Sequence, residues 1–187
     1  MFFFQKVKLL YLNLYKNYNM SPKLDEKDLA ILALLQKNCR TTAREIARKI
    51  DSPITTVFAK MKRMEEQEII KYYRAILDAR KLNLDTTAFI LASFSYRDGE
   101  KPLSQRAMAE QIAKFPEVQE VHIITGDWDL LIKVKAQNVD AVGRFVIDKL
   151  RLVKGIEKTL TCMVFATQKE TTDIPLPLKR QLLEKIQ

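Results

Sequence analysis

Between residues 42 and 66 the chain carries two helical repeats separated by three residues that continue neither of them. Thr42-Ala43-Arg44-Glu45 has the form of a capping box, in which the Thr42 hydroxyl accepts the Glu45 amide and the Glu45 carboxylate returns to the Thr42 amide. Ala43, Ile46, Ala47 and Ile50 then recur at helical spacing. Asp51-Ser52-Pro53 ends the run, because the ring of Pro53 disfavours helix at Ser52, whereas Pro53 itself suits the first turn of a new helix. In that helix Ile54, Val57, Phe58, Met61 and Met64 are predicted to form one apolar stripe, with Thr55, Thr56, Ala59, Lys60, Lys62 and Arg63 on the other faces. A short capped helix, a tight turn and a second helix with a basic polar side make a helix-turn-helix pattern. The geometric reason is that an α-helix fits the major groove of duplex DNA, where short polar groups meet bases and cations meet phosphates. Thr55 and Thr56 suit the first role, and Lys60, Lys62 and Arg63 the second. Taken alone, those cations read better as a solvated helix face.

Charge distribution favours the nucleic-acid reading. The 187 residues carry a formal net charge of +9. Residues 1–82 hold 17 basic and 9 acidic side chains, whereas residues 83–187 hold 15 and 14, so nearly all the excess lies in the first half. A 47% apolar content is enough for one ordinary domain or two small ones without staples, and excludes a disordered or collagen-like chain. Ahead of the two helices, Leu24-Asp25-Glu26-Lys27-Asp28 predicts a helix start, with Asp25 as cap and Leu24 stapled onto Leu29. That helix is expected to reach about Lys37 and to be largely buried through Leu29, Ile31, Leu32, Ala33, Leu34 and Leu35. After it, the β-branched and aromatic run Ile69 to Leu77 predicts a strand, acting as a wing or a spacer.

The second half alternates element types. Strands are expected at Thr87 to Tyr96, Val118 to Thr125, Leu130 to Ala136 and Ile156 to Gln168. Helices are expected from about Pro102 to Phe115 and from Val139 to Val153, the latter ended by Gly155. The short loop between the second and third strands predicts a hairpin. The order β-α-β-β-α-β is a ferredoxin-like sandwich, so the fold class is α+β: an N-terminal winged helix-turn-helix plus a C-terminal ferredoxin-like βαββαβ domain. One sheet face is then left without helices although it carries Phe89, Leu91 and either Ile123 or Ile124, which predicts self-association through that face. Two copies would also supply two DNA-reading helices.

Several functions are disfavoured. Cys39 and Cys162 lie far apart, in no metal or redox spacing, and point to a reducing, cytoplasmic setting. His122 is the only histidine, which leaves no histidine-rich metal site and no obvious catalytic set. Neither a cofactor nor a metal is expected. No stretch approaches the length of a membrane-spanning helix. The opening MFFFQKVKLLYLNLYKNYNM fails as a signal peptide, since lysines interrupt its apolar run. Met20 begins a segment that reads like an ordinary start, so the residues before it are expected to be a dispensable or misassigned extension.

The ordered combination of Leu24-Asp25-Glu26-Lys27-Asp28 with Ile31-Leu32, Thr55-Thr56-Val57 with Lys62-Arg63-Met64-Glu65-Glu66, Ile69 to Ala75, and Thr125 to Val134 resembles the Lrp/AsnC, or feast/famine, family from about Leu24 to Pro177. The resemblance implies a transcription regulator whose N-terminal domain binds double-stranded DNA. It implies a C-terminal domain that forms homodimers and higher homo-oligomers and binds an amino acid or related small molecule. By motif, the loop Thr125, Gly126, Asp127, Trp128 and Asp129 corresponds to the family's effector loop. Gly126 would let a ligand approach backbone amides, and Asp127 and Asp129 would accept bonds from an ammonium group. Without the family, the same residues read as an acidic hairpin turn with Trp128 packing at an interface.

The resulting DNA-contacting set is Thr42, Arg44, Pro53, Thr55, Thr56, Ala59, Lys60, Lys62 and Arg63, on a domain spanning 24–78. An extension (1–23) precedes it. A linker (79–86), the effector-binding and oligomerisation domain (87–170) and a C-terminal tail (171–187) follow. Two departures from the family pattern concern backbone: Asp51 and Glu68 stand where glycine is common. A haem-precursor decarboxylase of similar architecture, with His122 at its centre, and an effector-binding partner without a DNA role are the competing readings.

Overall fold

A computed structural model of the chain describes residues 23–98 and 101–178. The N-terminal segment up to Asn19, expected to be dispensable, lies outside the described residues. The chain divides into two compact units. The first takes in residues up to Ala75 together with those from Thr171 onward, and the second runs from Ile76 to Glu170.

The first unit is built on three helices: α1 (Glu26–Lys37), α2 (Ala43–Lys49) and α3 (Ile54–Glu66). The expected Thr42–Glu45 capping box forms, and the Asp25 cap proves to be half of a second box completed by Asp28. Asp25 and Asp28 exchange backbone-to-carboxylate bonds of 2.9 Å; the Glu45 amide donates to the Thr42 hydroxyl at 3.2 Å and the Thr42 amide to the Glu45 carboxylate at 2.8 Å. Ile31, Leu34, Ile46, Val57 and Met64 fill the core between the helices. Leu176 and Leu178 pack against the same core, and the Gln36 side-chain amide both donates to the Ile174 carbonyl (3.1 Å) and accepts its amide (2.8 Å). The stretch 171–178, expected as a tail apart, is thus part of this unit's packing.

Two expectations fail here. Ile54 and Phe58 are 45% and 63% exposed, so the buried stripe of α3 narrows to Val57, Met61 and Met64. The run 69–77 has strand composition but forms no ladder, because the described part of this unit offers no other strand to pair with. Ile69 and Ile70 instead close against the helical core.

In the second unit, β1 (Thr86–Phe94), β4 (Val118–Ile123), β5 (Leu130–Ala136) and β6 (Ile156–Met163) form one antiparallel sheet in the order β4-β5-β1-β6. A two-residue ribbon, β2 (Arg97–Asp98) with β3 (Lys101–Pro102), was not foreseen. Helix α4 (Gln105–Ile112) and helix α5 (Val139–Arg144) cover one face, burying Ala88, Ile90, Ile132, Val134, Met108, Ile112 and Val142. The single helix expected to Val153 changes instead into a π turn (Phe145–Lys149) and a 3-10 turn (Leu150–Leu152). Those turns still bury Phe145, Val146 and Leu150 against the sheet.

Register fixes what the open face carries. Phe89 stands opposite Cys162, Leu91 opposite Leu131 and Leu160, and His122 opposite Leu131. Ile123 pairs with the buried Leu130, which places it on the helix side and leaves His122 on the open one. Beside this apolar column lies a charged cluster: Lys133 bonds Glu120 (3.1 Å) and Glu170 (2.5 Å), and Lys135 bonds Glu170 (3.2 Å).

Candidate nucleic-acid interface and effector loop

The turn between α2 and α3 decides how α3 is presented. Asp51 adopts φ 49, the left-handed conformation that glycine takes without cost and that aspartate tolerates. The chain is then closed by the Ser52 amide bonding the Ala47 carbonyl at 3.0 Å. Lys27 on α1 donates to the Ser52 hydroxyl at 3.2 Å, tying the turn to the first helix. Glu68 repeats the left-handed geometry after α3, at φ 54. Both positions where glycine is missing therefore keep the glycine conformation.

With Val57 and Met64 fully buried, the opposite side of α3 faces outward. Thr55, Thr56, Ala59, Lys60 and Arg63 line a single open concavity of about 410 Å³ there. Thr42, Arg44 and Pro53 are exposed at the starts of α2 and α3. Lys62, 67% exposed, faces solvent with Glu66 at 3.8 Å.

Lys60 and Arg63 are differently placed. The Lys60 ammonium lies 2.5 Å from an Asp25 oxygen and 3.1 Å from an Asp28 oxygen, and its side chain is only 16% exposed. Arg63 donates to the other Asp28 oxygen at 2.6 Å, while its Nε is buried without a partner. Burial opposes charge on Lys60, but its bonds to Asp25 and Asp28 outweigh it and hold its pKa above the usual lysine value. The Lys60 bond is the main cause that brings the Asp25 carboxyl down to about 2. Sequence reasoning took Asp25 only as a cap and gave Asp28 no role. The available signal was that 25 and 28 share one helix face and 60 and 63 share another, so two acids can meet two cations.

In the second unit, the loop 125–129 follows β4. Gly126 has φ 119 with open space around the position a Cβ would take. Asp127 is exposed, and Trp128 and Asp129 are half-buried. Asp129 closes the loop against β1: one carboxylate oxygen accepts the Phe94 amide at 2.8 Å, and its backbone amide donates to the Ala92 carbonyl at 3.0 Å. Its other oxygen faces the Tyr96 hydroxyl and the Gln105 amide nitrogen, each at 3.4 Å. Of the two acids read as ammonium acceptors, Asp129 therefore holds backbone, and Asp127 is free of bonds to the described chain.

Residues 87–174 match the Lrp/AsnC ligand binding domain, and residues 24–71 match a winged helix-turn-helix DNA-binding domain. The chain belongs to the Lrp/AsnC family. An uncharacterised HTH-type transcriptional regulator of Pyrococcus abyssi is 46% identical over 151 residues, covering 81% of this chain and 99% of that protein. The transcriptional regulator AzlB of Bacillus subtilis is 32% identical over 157 residues, 84% of this chain and 98% of AzlB. Among solved structures, a regulator from Neisseria meningitidis in complex with L-Met superposes with TM-score 0.77 at 28% identity, covering 83% of this chain and 98% of that one. AsnC of E. coli gives 0.72 at 25%, covering 82% and 99%. The protein is accordingly an Lrp/AsnC-type DNA-binding transcription regulator with a ligand-binding domain, and its relatives are regulators and not enzymes. Among the described residues no helix is long and apolar enough to cross a membrane.

Proposed function

We propose that this Lrp/AsnC protein is a sequence-specific cytoplasmic regulator that reads duplex DNA with the outer face of α3 and is modulated by an amino acid or related small molecule. The observation that carries the reading is the concavity lined by Thr55, Thr56, Ala59, Lys60 and Arg63, on a helix whose opposite face is locked into the core. Thr55 and Thr56 supply the short polar groups that base reading needs, and the small Ala59 side chain between them and Lys60 would leave room for a groove edge. Thr42, Arg44, Pro53 and Lys62, all exposed on α2, α3 or the residues that start them, would supply the contacts to phosphates.

Two copies would bring two such helices to a near-palindromic site. Support for self-association comes from the column Phe89, Leu91, Leu131 and Leu160 on the helix-free sheet face. A ligand bound beside Gly126 and Asp127 would bias assembly or subunit angle by no more than its differential affinity for the two states. L-Met in the Neisseria relative makes methionine the first compound to try.

Selection of bound duplexes from genomic fragments, followed by affinity measured against salt, tests the DNA reading. A recurrent half-site is expected, and Thr55→Ala or Thr56→Ala should relax it. Recovery of no preferred sequence at any ionic strength would defeat the assignment. For the ligand, calorimetric titration with methionine and other amino acids should show binding that Asp127→Asn and a bulky replacement of Gly126 weaken. Equal binding by all variants would move the effector elsewhere.

A further inference from the structure

Asp28 is the one charged residue among the fully buried described side chains, at 0% exposure. A capping-box residue has no need of such burial, since the reciprocal bond to the Asp25 amide forms equally well at a surface. What buries it is its position between α1 and α3, where Lys60 and Arg63 close over its two oxygens at 3.1 and 2.6 Å. Asp25 adds a second acid to Lys60. Two carboxylates thus meet two cations, and both cations belong to the set lining the concavity on α3. The formal charge of that lining is cancelled.

A phosphate that took Lys60 would have to draw the ammonium from two carboxylates and leave Asp28 buried with one cation fewer, a costly state. Affinity for DNA of arbitrary sequence rises with each cation that reaches a phosphate, so cations placed at the reading helix work against discrimination. We propose that Asp28, assisted by Asp25, is a specificity-determining positioning residue, which withholds Lys60 and Arg63 from the DNA backbone and leaves base reading to Thr55 and Thr56. This rests on α3 being the DNA-reading helix. Lys60 and Arg63 act in it as struts between α1 and α3, and phosphate contact falls to Arg44 and Lys62.

The test uses the full chain, its selected duplex and a scrambled duplex of equal length, with affinity measured from low to moderate salt. Asp28→Asn keeps the shape and can still accept the Asp25 amide. In that variant the scrambled duplex should bind several-fold tighter, its salt slope should steepen by about 1 for each cation released, and the ratio of selected to scrambled affinity should fall. Lys60→Gln in the native background should leave the slope unchanged, whereas Lys60→Gln added to Asp28→Asn should remove about 1 of the gained slope. A purely architectural role for Asp28 would weaken the selected duplex with no change in slope. Should Asp28→Asn fail to fold by circular dichroism, Asp25→Asn, at an exposed carboxylate, should shift the slope in the same direction by a smaller amount.

Unchanged slopes in folded Asp28→Asn or Asp25→Asn would overturn the proposal, as would a slope lowered by about 1 in Lys60→Gln alone. A native protein that binds neither duplex would remove the DNA reading along with it. Native binding that the acid variants do not alter would remove this inference and leave that reading standing.

Discussion

The two units secure their candidate sites by different chemistry. On α3 the lining side chains are held by ion pairs from another helix, Asp25 and Asp28 against Lys60 and Arg63. The loop 125–129 is held by one carboxylate on a neighbouring backbone amide, Asp129 on Phe94, with glycine where the chain must turn the unusual way. The difference governs what a substitution reports. Removing a charge at α3 changes the electrostatics of the reading face, whereas removing Asp129 changes where the loop lies.

The sheet unit also places glycine where nothing else fits, and this gives the largest expected effect. Gly155 has φ 94, and a Cβ there would lie 2.5 and 2.9 Å from two ring carbons of the buried Phe94. Gly155→Ala combines left-handed strain with overpacking and should cost about 2–4 kcal/mol by chemical denaturation. A loss below about 0.5 kcal/mol would mean that Phe94 yields freely, and that this corner is softer than the contact implies.

Asp129→Ala comes next. It leaves the Phe94 amide without its acceptor and should cost about 1–2 kcal/mol, while Asp127→Ala should stay within about 0.5 kcal/mol of the native protein. Ligand affinity should show the reverse emphasis: Asp127→Ala weakens it at unchanged stability. If the two aspartates behave alike in both measurements, the contrast between backbone clamp and ligand contact within this loop disappears.

How much of this was legible follows from the range of each interaction. The Thr42–Glu45 capping box and the Asp25 cap each span three residues, and both stand in the structure as the spacing predicts, the latter with Asp28 completing a second box. The alternation of Ala88, Ile90 and Ala92 with Phe89 and Leu91 likewise marked the two faces of β1. What escaped depends on neighbours distant in sequence. Nothing within α3 says that Lys60 is occupied by α1, or that Phe58 lies beyond the core. The run 69–77 has a strand's composition, but pairing needs a partner that composition cannot supply. Asp129 read as a ligand acceptor because its acceptor capacity is visible in sequence, while the Phe94 amide that uses it lies 35 residues away.

The helix-turn-helix unit holds Asp51 and Glu68 in left-handed turns, whereas the sheet unit has glycine at Gly126 and Gly155 and, at Asn83 (φ 58), a residue that tolerates this conformation, so the most relief is available at Glu68. Glu68→Gly should stabilise by about 0.5–1 kcal/mol, the released strain exceeding the entropy gained by the unfolded chain. Asp51→Gly should give less, since aspartate tolerates this conformation better. Thermal midpoints in both variants check the order. A fall in either would show that the side chain makes up for its backbone strain in some other way.

Acidification should separate the units by the smallest margin. Glu120 and Glu170, held below the ordinary glutamate range chiefly by bonds from Lys133, and Glu117, where burial pushes the carboxyl up but the Lys149 bond and charge together with a backbone bond more than offset it, all lie in the sheet unit. The helical unit has Glu45, lowered by the Thr42 amide, and Asp25 at about 2. Every one of these carboxyls binds protons less readily folded than unfolded, so each contributes fully above its unfolded value and loses that contribution as pH falls through the folded one. Three glutamates against one put more of the loss below about pH 4.5 in the sheet unit, while Asp25 continues to support the helical unit until about pH 2. Amide hydrogen exchange measured unit by unit from pH 6 to 3 should therefore show protection, corrected for intrinsic rates, falling first in the strands. Raised salt should narrow the gap, because these carboxylates are partly exposed and their lysine partners are screened. Protection that fell equally in both units, or first in α1 and α3, would mean that the Asp25–Lys60 contact carries less of the helical unit than its geometry implies.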